Sequence, residues 1–277
     1  MGLFEGCLLA ADIDGTLMNN NEIAARNIEM IRVFTKEGGL FSFATGRSVG
    51  AVGPVLQKLG HVSPSVMANG CMIYDYDHQT VLEQQILPRQ AHEIVPLMLK
   101  TGIEVGIEVH TGARVITIAE TEETRAHQEY EWLQAETLSF EEADGLDWNK
   151  VVYLFAGPEE REKAKWAIGN AVLSSAAFSD TTAMIAGRQR YYYEQFPKGI
   201  SKASAVLRLC DLLGIERNHL FTIGDYYNDM ELIRCGAESA ATAEAPEEVR
   251  ACAGFVTGAC EQGAVADFIE YLISGKE

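Results

Sequence analysis

The chain alternates short apolar runs with longer stretches in which apolar residues recur every three or four positions. Leu8 to Ala11 is an unbroken apolar run that stops at Asp12-Ile13-Asp14-Gly15-Thr16. Such a run, ended by turn residues, suits a strand covered on both faces of a parallel sheet. From Asn21 to Lys36, Ile23, Ile28, Ile31, Val33 and Phe34 fall on helical spacing, and Gly38-Gly39 closes the segment. Leu40 to Ala44 reads as the next strand, and Thr45 to about Leu59 as the next helix. This alternation predicts a parallel sheet with right-handed crossovers.

The pattern then changes. Ser65 to Ala68, Cys71 to Tyr76 and Val81 to Leu87 read as strands, the last two forming a hairpin about residues 77–79. Between Pro88 and Phe196 the pattern predicts helices at 88–98, 120–134 and 158–173, and strands at 104–109, 114–119, 148–155, 182–186 and 191–196. From Pro197 the first rhythm returns. A helix over 201–213 stops at Gly214, a strand over 219–223 ends at Gly224-Asp225, a helix stops at Gly236, and a last helix starts near Gln262. The expected fold is α/β: a doubly wound, Rossmann-like parallel sheet from residues 1–83 and 196–277, with an α+β domain of residues 84–195 inserted into it.

Strand ends in such a sheet are where ligands gather. In an extended backbone residues i and i+2 point to one side, so Asp12 and Asp14 address one small volume. Two carboxylates held close favour a hard cation, and oxygen-only ligation suits Mg²⁺ completed by water and phosphate oxygens. On its own, Asp-Ile-Asp-Gly is equally readable as an ordinary turn. Asp225 ends a second strand in the same way. Thr45 stands at a third strand end and beside an expected helix N-terminus, as an anion ligand or an N-cap. Arg47 reads as a phosphate contact or a solvated charge. Lys202 sits in the first turn of a helix, where a cation is unfavourable by ~0.3–1 kcal/mol unless something negative is near, and Lys198 competes for its role. Asp229 reads as a helix cap or as support behind a metal. His78, alone on a turn, is assigned nothing, and the run Tyr191-Tyr192-Tyr193 is read as packing.

The 277 residues, 47% of them hydrophobic, are enough for a large core. The net charge of -18 argues against nucleic acid or an anionic membrane as partner, because both need clustered Lys and Arg; a phosphate site must be local. Six cysteines without a Cys-x-x-Cys pair read as buried thiols. With no apolar stretch of membrane-spanning length and no leader pattern, the protein is expected in the cytoplasm.

Asp12-Ile13-Asp14-Gly15-Thr16 resembles the first motif of the haloacid dehalogenase-like phosphohydrolases. Phe41 to Arg47 resembles the second, Lys198 to Lys202 the third, and Gly224 to Asp229 (Gly-Asp-Tyr-Tyr-Asn-Asp) the fourth, in family order along nearly the whole chain. The long insertion between the second and third motifs is similar to the Cof-type group with a class IIB cap. The resemblance implies Asp12 as nucleophile, Asp14 as general acid and base, and Mg²⁺ held by Asp12, the Asp14 carbonyl and Asp225, with Asp229 behind. It also implies Thr45, Gly46, Arg47, Lys202 and Asn228 as substrate-binding residues, with Asn228 orienting Lys202 or the phosphate. The expected activity is hydrolysis of a small phosphorylated metabolite, a sugar phosphate foremost. A phosphomutase using the same aspartate and a non-catalytic phosphate-binding protein are the alternatives.

Overall fold

The computed structural model describes residues 2–169, 176–185 and 187–275. The chain divides into two compact units, one of residues 1–46, 53–82 and 201–277, the other of residues 47–52 and 83–200.

The first unit is built on a five-stranded parallel sheet in the order Phe255–Val256, Glu238–Ala241, Leu220–Gly224, Leu8–Ala11, Leu40–Phe43. Consecutive strands diverge to either side of Leu8–Ala11, so the topological switch point lies between it and Leu220–Gly224. All four residues of Leu8–Ala11 are fully buried, which is why the run carries no polar position. On one face Leu8, Ala10 and Leu220 pack with Val206, Leu209 and Cys210 of the helix Lys202–Leu213. On the other, the helices Ala25–Lys36 and Cys260–Ser274 are tied by the ion pairs of Arg26 with Asp267 and Glu270. Buried Asn27 accepts from Ala266 N–H and donates to the Leu17 carbonyl.

Two expectations between residues 21 and 59 are corrected. Residues 21–24 are not helical: Met18–Asn19 and Glu22–Ile23 form a hairpin, with Asn20 (φ 47°) and Asn21 (φ 63°) in the left-handed conformation. Asparagine tolerates that conformation at a tight turn, and it overrides the helical spacing of Ile23. The helix after Thr45 also starts later, as a 3₁₀ turn at Val49–Val52 that becomes α-helical over Gly53–Leu59. Gly46, Gly50 and Gly53 lower helix propensity, and Pro54 favours the first turn of a helix over its interior. Thr45 is therefore at a strand end but not at the helix start.

The second unit holds a six-stranded sheet in the order Ala135–Thr137, Arg114–Ala119, Gly106–Thr111, Lys150–Phe155, Arg188–Phe196, Ala177–Ile185. It is antiparallel except where Ala135–Thr137 joins. Period-two alternation gives it unlike faces. Ile107, Val109, Val151, Tyr153 and Phe155 pack with Ile94, Val95, Met98, Ala164 and Trp148, and Tyr193 stacks on Phe178. Glu108, His110, Lys150 and Glu194 occupy the opposite face. The short strand Ala135–Thr137 and the helix Phe140–Asp144, capped reciprocally by Ser139 and Glu142, have no counterpart in the sequence pattern. The helix expected over 158–173 spans Pro158–Ile168; residues 170–173 and Ala186 lie outside the described residues. Among the described residues no helix is long and apolar enough to cross a membrane.

Candidate active site

Sheet register decides which side chains meet. Ala11 is level with Ile223 on one side and Phe43 on the other, so Asp12, Asp225 and Thr45 all emerge just past the carboxyl ends of adjacent strands. The Asp12 N–H continues the ladder to the Ile223 carbonyl, and the Ala44 N–H to the Ala11 carbonyl.

Asp12 is 6% exposed. Its Oδ1 lies 2.7 Å from Lys202 Nζ, which donates equally closely, at 2.7 Å, to Asp229 Oδ1. The other Asp229 oxygen accepts from the backbone N–H groups of Asp225 and Tyr226 at 3.1 and 3.3 Å. Asp229 thus clamps the loop that carries Asp225 and aims the lysine at Asp12. Lys202 is placed by local chemistry: Ser201 accepts from Ser204 N–H while Ser204 Oγ accepts from Ser201 N–H, a reciprocal cap that starts the helix at Lys202. The Thr16 hydroxyl donates to Asp225 Oδ1 at 2.7 Å. Gly15, at φ 85°, passes so close that a Cβ would sit 2.3 Å from Asp225 Oδ2, so the first and fourth motif loops interlock only because residue 15 lacks a side chain.

Oxygens of Asp12, Asp225 and Asp229 all lie within 4.8 Å of one another. One lysine does not neutralise them. Burial, with the Asp229 and Asp14 charges, pushes the Asp12 carboxyl up to about 7 even though Lys202 pulls it down. Burial and the charges of Asp12 and Asp229 hold Asp225 well above the ordinary carboxylate range. Lys202 is held above its usual range: burial opposes its charge, but Asp12 and Asp229 outweigh burial. Hard oxygen donors whose ionised forms lack positive charge fit a divalent cation.

The other expected residues divide. Asp14 is half-buried, and its side chain is outside the three-carboxylate group. Thr45 is buried, its N–H bonded to the Val66 carbonyl and its carbonyl to Asn69 N–H. Gly46 allows close approach of Asn69, whose Oδ1 would lie 3.0 Å from an added Cβ. Arg47 is not a solvated charge. It is 1% exposed, and within the second unit its guanidinium lies 5.7 and 5.3 Å from the ring centroids of Tyr130 and Trp132. Asn228 is exposed, and the carboxylate that fixes Lys202 comes from Asp229. Lys198 is exposed on a turn. Thr16 and Asn69 join the site without having been singled out by their sequence context. Thr16 lies inside the first motif, and Asn69-Gly70 signals only a turn, although Ala68, Asn69 and Gly70 are all left-handed.

The family model of haloacid dehalogenase-like hydrolases matches residues 9–269. The 5-amino-6-(5-phospho-D-ribitylamino)uracil phosphatase YwtE of Bacillus subtilis is 25% identical, over 97% of this chain and 98% of its own. The HMP-PP phosphatase of Serratia proteamaculans is 24% identical, over 96% and 95%. A haloacid dehalogenase-like hydrolase from Bacteroides thetaiotaomicron superposes with a TM-score of 0.84 at 22% identity, covering 96% of this chain and 99% of its own. The subclass IIB sugar phosphatase BT4131 does so with a TM-score of 0.80 at 20% identity, covering 98% and 100%.

Proposed function

The chain belongs to the haloacid dehalogenase-like hydrolases, and from that premise we propose that it is a Mg²⁺-dependent phosphatase acting through an aspartyl-phosphate on Asp12. Its substrate on this reading is a small phosphorylated metabolite, a sugar phosphate foremost. The observation that carries the reading is the lysine shared by two carboxylates at the switch point, Lys202 at 2.7 Å from both Asp12 and Asp229, beside a third carboxylate on the adjoining strand.

Phosphate monoester hydrolysis is among the slowest reactions enzymes accelerate, and the protein mainly positions groups and neutralises charge. The Asp12 carboxylate attacks phosphorus, and the bond to the leaving oxygen breaks. Asp14 gives that oxygen its proton, then takes one from the water that attacks the acyl phosphate; phosphate departs and Asp12 is restored. Lys202 and Thr45 bind phosphoryl oxygens, and Asp229 keeps Lys202 aimed. Asp12, Asp225 and the Asp14 carbonyl would hold Mg²⁺, which supplies the charge that lets a carboxylate approach a phosphate. Residues 84–195 act as the domain that selects the leaving group and excludes water. The named activities of YwtE and the HMP-PP phosphatase support phosphatase chemistry over mutase chemistry.

The test is phosphate release from a panel of sugar, polyol, nucleoside and cofactor phosphates, with Mg²⁺ and with excess chelator. Release is expected only with the metal. Full turnover in chelator would overturn the metal dependence, and transfer to a second sugar without free phosphate would overturn hydrolysis.

A further inference from the structure

The parallel ladder of the first unit runs one residue beyond its strands. Gly224 is level with Ala241, and the Thr242 N–H then donates to the Gly224 carbonyl at 3.3 Å, which sets Thr242 level with Asp225. Neighbouring strands lie about 4.8 Å apart, and level residues on parallel strands turn their side chains to the same face. The strand order puts the chain that carries Asp12 on one flank of Asp225 and Thr242 on the other.

The two flanks differ. On the side of the first motif, the Thr16 hydroxyl donates to Asp225 Oδ1 at 2.7 Å. On the other side, the Thr242 hydroxyl is fully buried and has no hydrogen-bond partner in the protein. The Thr242 backbone is engaged at both ends, since its carbonyl also accepts from the Ala245 N–H at 3.1 Å; the residue is held in place and only its hydroxyl is left over. Leaving a hydroxyl unpaired in a protein interior is costly, and native interiors pair nearly all of them. Valine, with the same shape, would carry no such cost.

No direct bond joins Thr242 to Asp225, so the partner that fits is small enough to stand between two short side chains on adjacent strands. It must also donate to a carboxylate and meet a hydroxyl. Water does all of this, and it is the ordinary link between buried polar groups too far apart to touch.

We propose that Thr242 is a positioning residue whose hydroxyl holds a water against the Asp225 carboxylate and so fixes that carboxylate for the metal. The inference rests on the reading of Asp225 as a metal ligand. Carboxylates that bind metals are themselves held by a further layer of hydrogen bonds, and loss of one such partner costs roughly 10- to 100-fold in metal affinity. Thr16 supplies one of these bonds directly and Thr242 a second through water, so Asp225 is gripped from both flanks.

The experiment measures Mg²⁺ affinity by isothermal titration calorimetry on the full chain without substrate. Thr242→Val, which keeps the shape and removes the hydroxyl, should weaken Mg²⁺ binding by roughly 10-fold, while thermal unfolding of the metal-free protein stays unchanged or rises. Thr242→Ser keeps the hydroxyl and should bind Mg²⁺ as the wild type does. A merely structural threonine would move the unfolding temperature and not the affinity. Thr242→Val with an affinity within about twofold of the wild type, or Thr242→Ser losing as much as Thr242→Val, would overturn the proposal. If Thr242→Val does not fold, a crystal structure of the wild type with Mg²⁺ decides: a water within hydrogen-bond distance of both Thr242 Oγ1 and an Asp225 carboxylate oxygen supports the proposal, and none there overturns it. The phosphatase reading fails alone if the wild type binds Mg²⁺ yet releases no phosphate from any monoester; both fail if it binds no Mg²⁺.

Discussion

Both units bury clusters of ionisable side chains, but only one cluster is out of balance. At the strand ends of the first unit, Asp12, Asp225 and Asp229 share a single lysine, and the ionised forms of Asp12 and Asp225 are disfavoured. On the sheet of the second unit Glu194 pairs with Lys150, Glu123 with Arg190 and Glu108 with His127; His127 is pushed up and Glu131 is held well below the usual carboxylate range. Asp12 and His127 are thus both raised for opposite reasons, one because its charge is unwelcome and the other because its charge is matched. Desolvated charge left in excess on one sign calls for something of the opposite sign from outside, and three carboxylates that share one lysine suit a cation. Desolvated charge that closes on itself holds a surface in shape.

The largest expected effect comes from the unbalanced cluster. Asp12→Asn should lower kcat by roughly 10⁴-fold or more, because an amide is neither nucleophile nor anionic ligand, while circular dichroism shows a folded protein. Substantial residual turnover would mean that the cluster is not the reaction centre. Asp14→Asn should cost kcat/KM roughly 10²- to 10⁴-fold on a sugar phosphate and far less on phenyl phosphate, whose leaving group needs less protonation. Equal losses would move Asp14 from acid catalysis to support of the metal or the fold.

The balanced cluster should respond in stability. Glu123→Ala leaves Arg190 buried without that carboxylate and should destabilise the protein by roughly 3–5 kcal/mol, read from urea midpoints, with phenyl phosphate turnover kept below the transition. The pH dependence separates the two clusters further. Asp12 holds its proton to about pH 7 in the folded chain and to 3.8 ordinarily, so its contribution to metal-free stability is complete below about 4 and lost as pH rises toward 7. His127 is raised from 6.5 to about 10, so its contribution is present below 6.5 and lost as pH rises toward 10. Each contribution is on the order of a few kcal/mol, because every tenfold gain in proton affinity on folding stabilises by about 1.4 kcal/mol. Asp12→Asn should flatten the lower window and His127→Gln the upper; Mg²⁺ should flatten only the lower. Thermal unfolding at fixed ionic strength reads all three.

Much of the first unit is legible in the sequence because its signals are local. Leu8–Ala11 carries no polar residue since both of its faces are covered, and Ser201 and Gly214 mark the ends of their helix directly. The hairpin at Asn20-Asn21 is masked by Ile23 and Ile28, whose helical spacing outweighs a turn signal two residues long. Thr16, Asn69 and the dual grip of Asp229 depend on loops brought together from distant parts of the chain, and no spacing rule encodes that. In the second unit the alternation along Lys150–Phe155 predicts a strand, but which face its polar positions bury, and that His110 lies level with Lys150 there, emerges only from the register of Gly106–Thr111 against it.

The central claim, that the unbalanced cluster exists to let Asp12 attack phosphorus, is tested most directly by trapping the covalent intermediate. Acid quenching during steady turnover with Mg²⁺, followed by peptide mapping by mass spectrometry, should find an acid-stable acyl phosphate on the peptide containing Asp12. The modification should vanish in Asp12→Asn and persist in Asp14→Asn with phenyl phosphate, where release of phosphate from the enzyme is slowed. Phosphate on a different residue, or turnover with no phosphorylated peptide at any quench time in either the wild type or Asp14→Asn, would contradict the account.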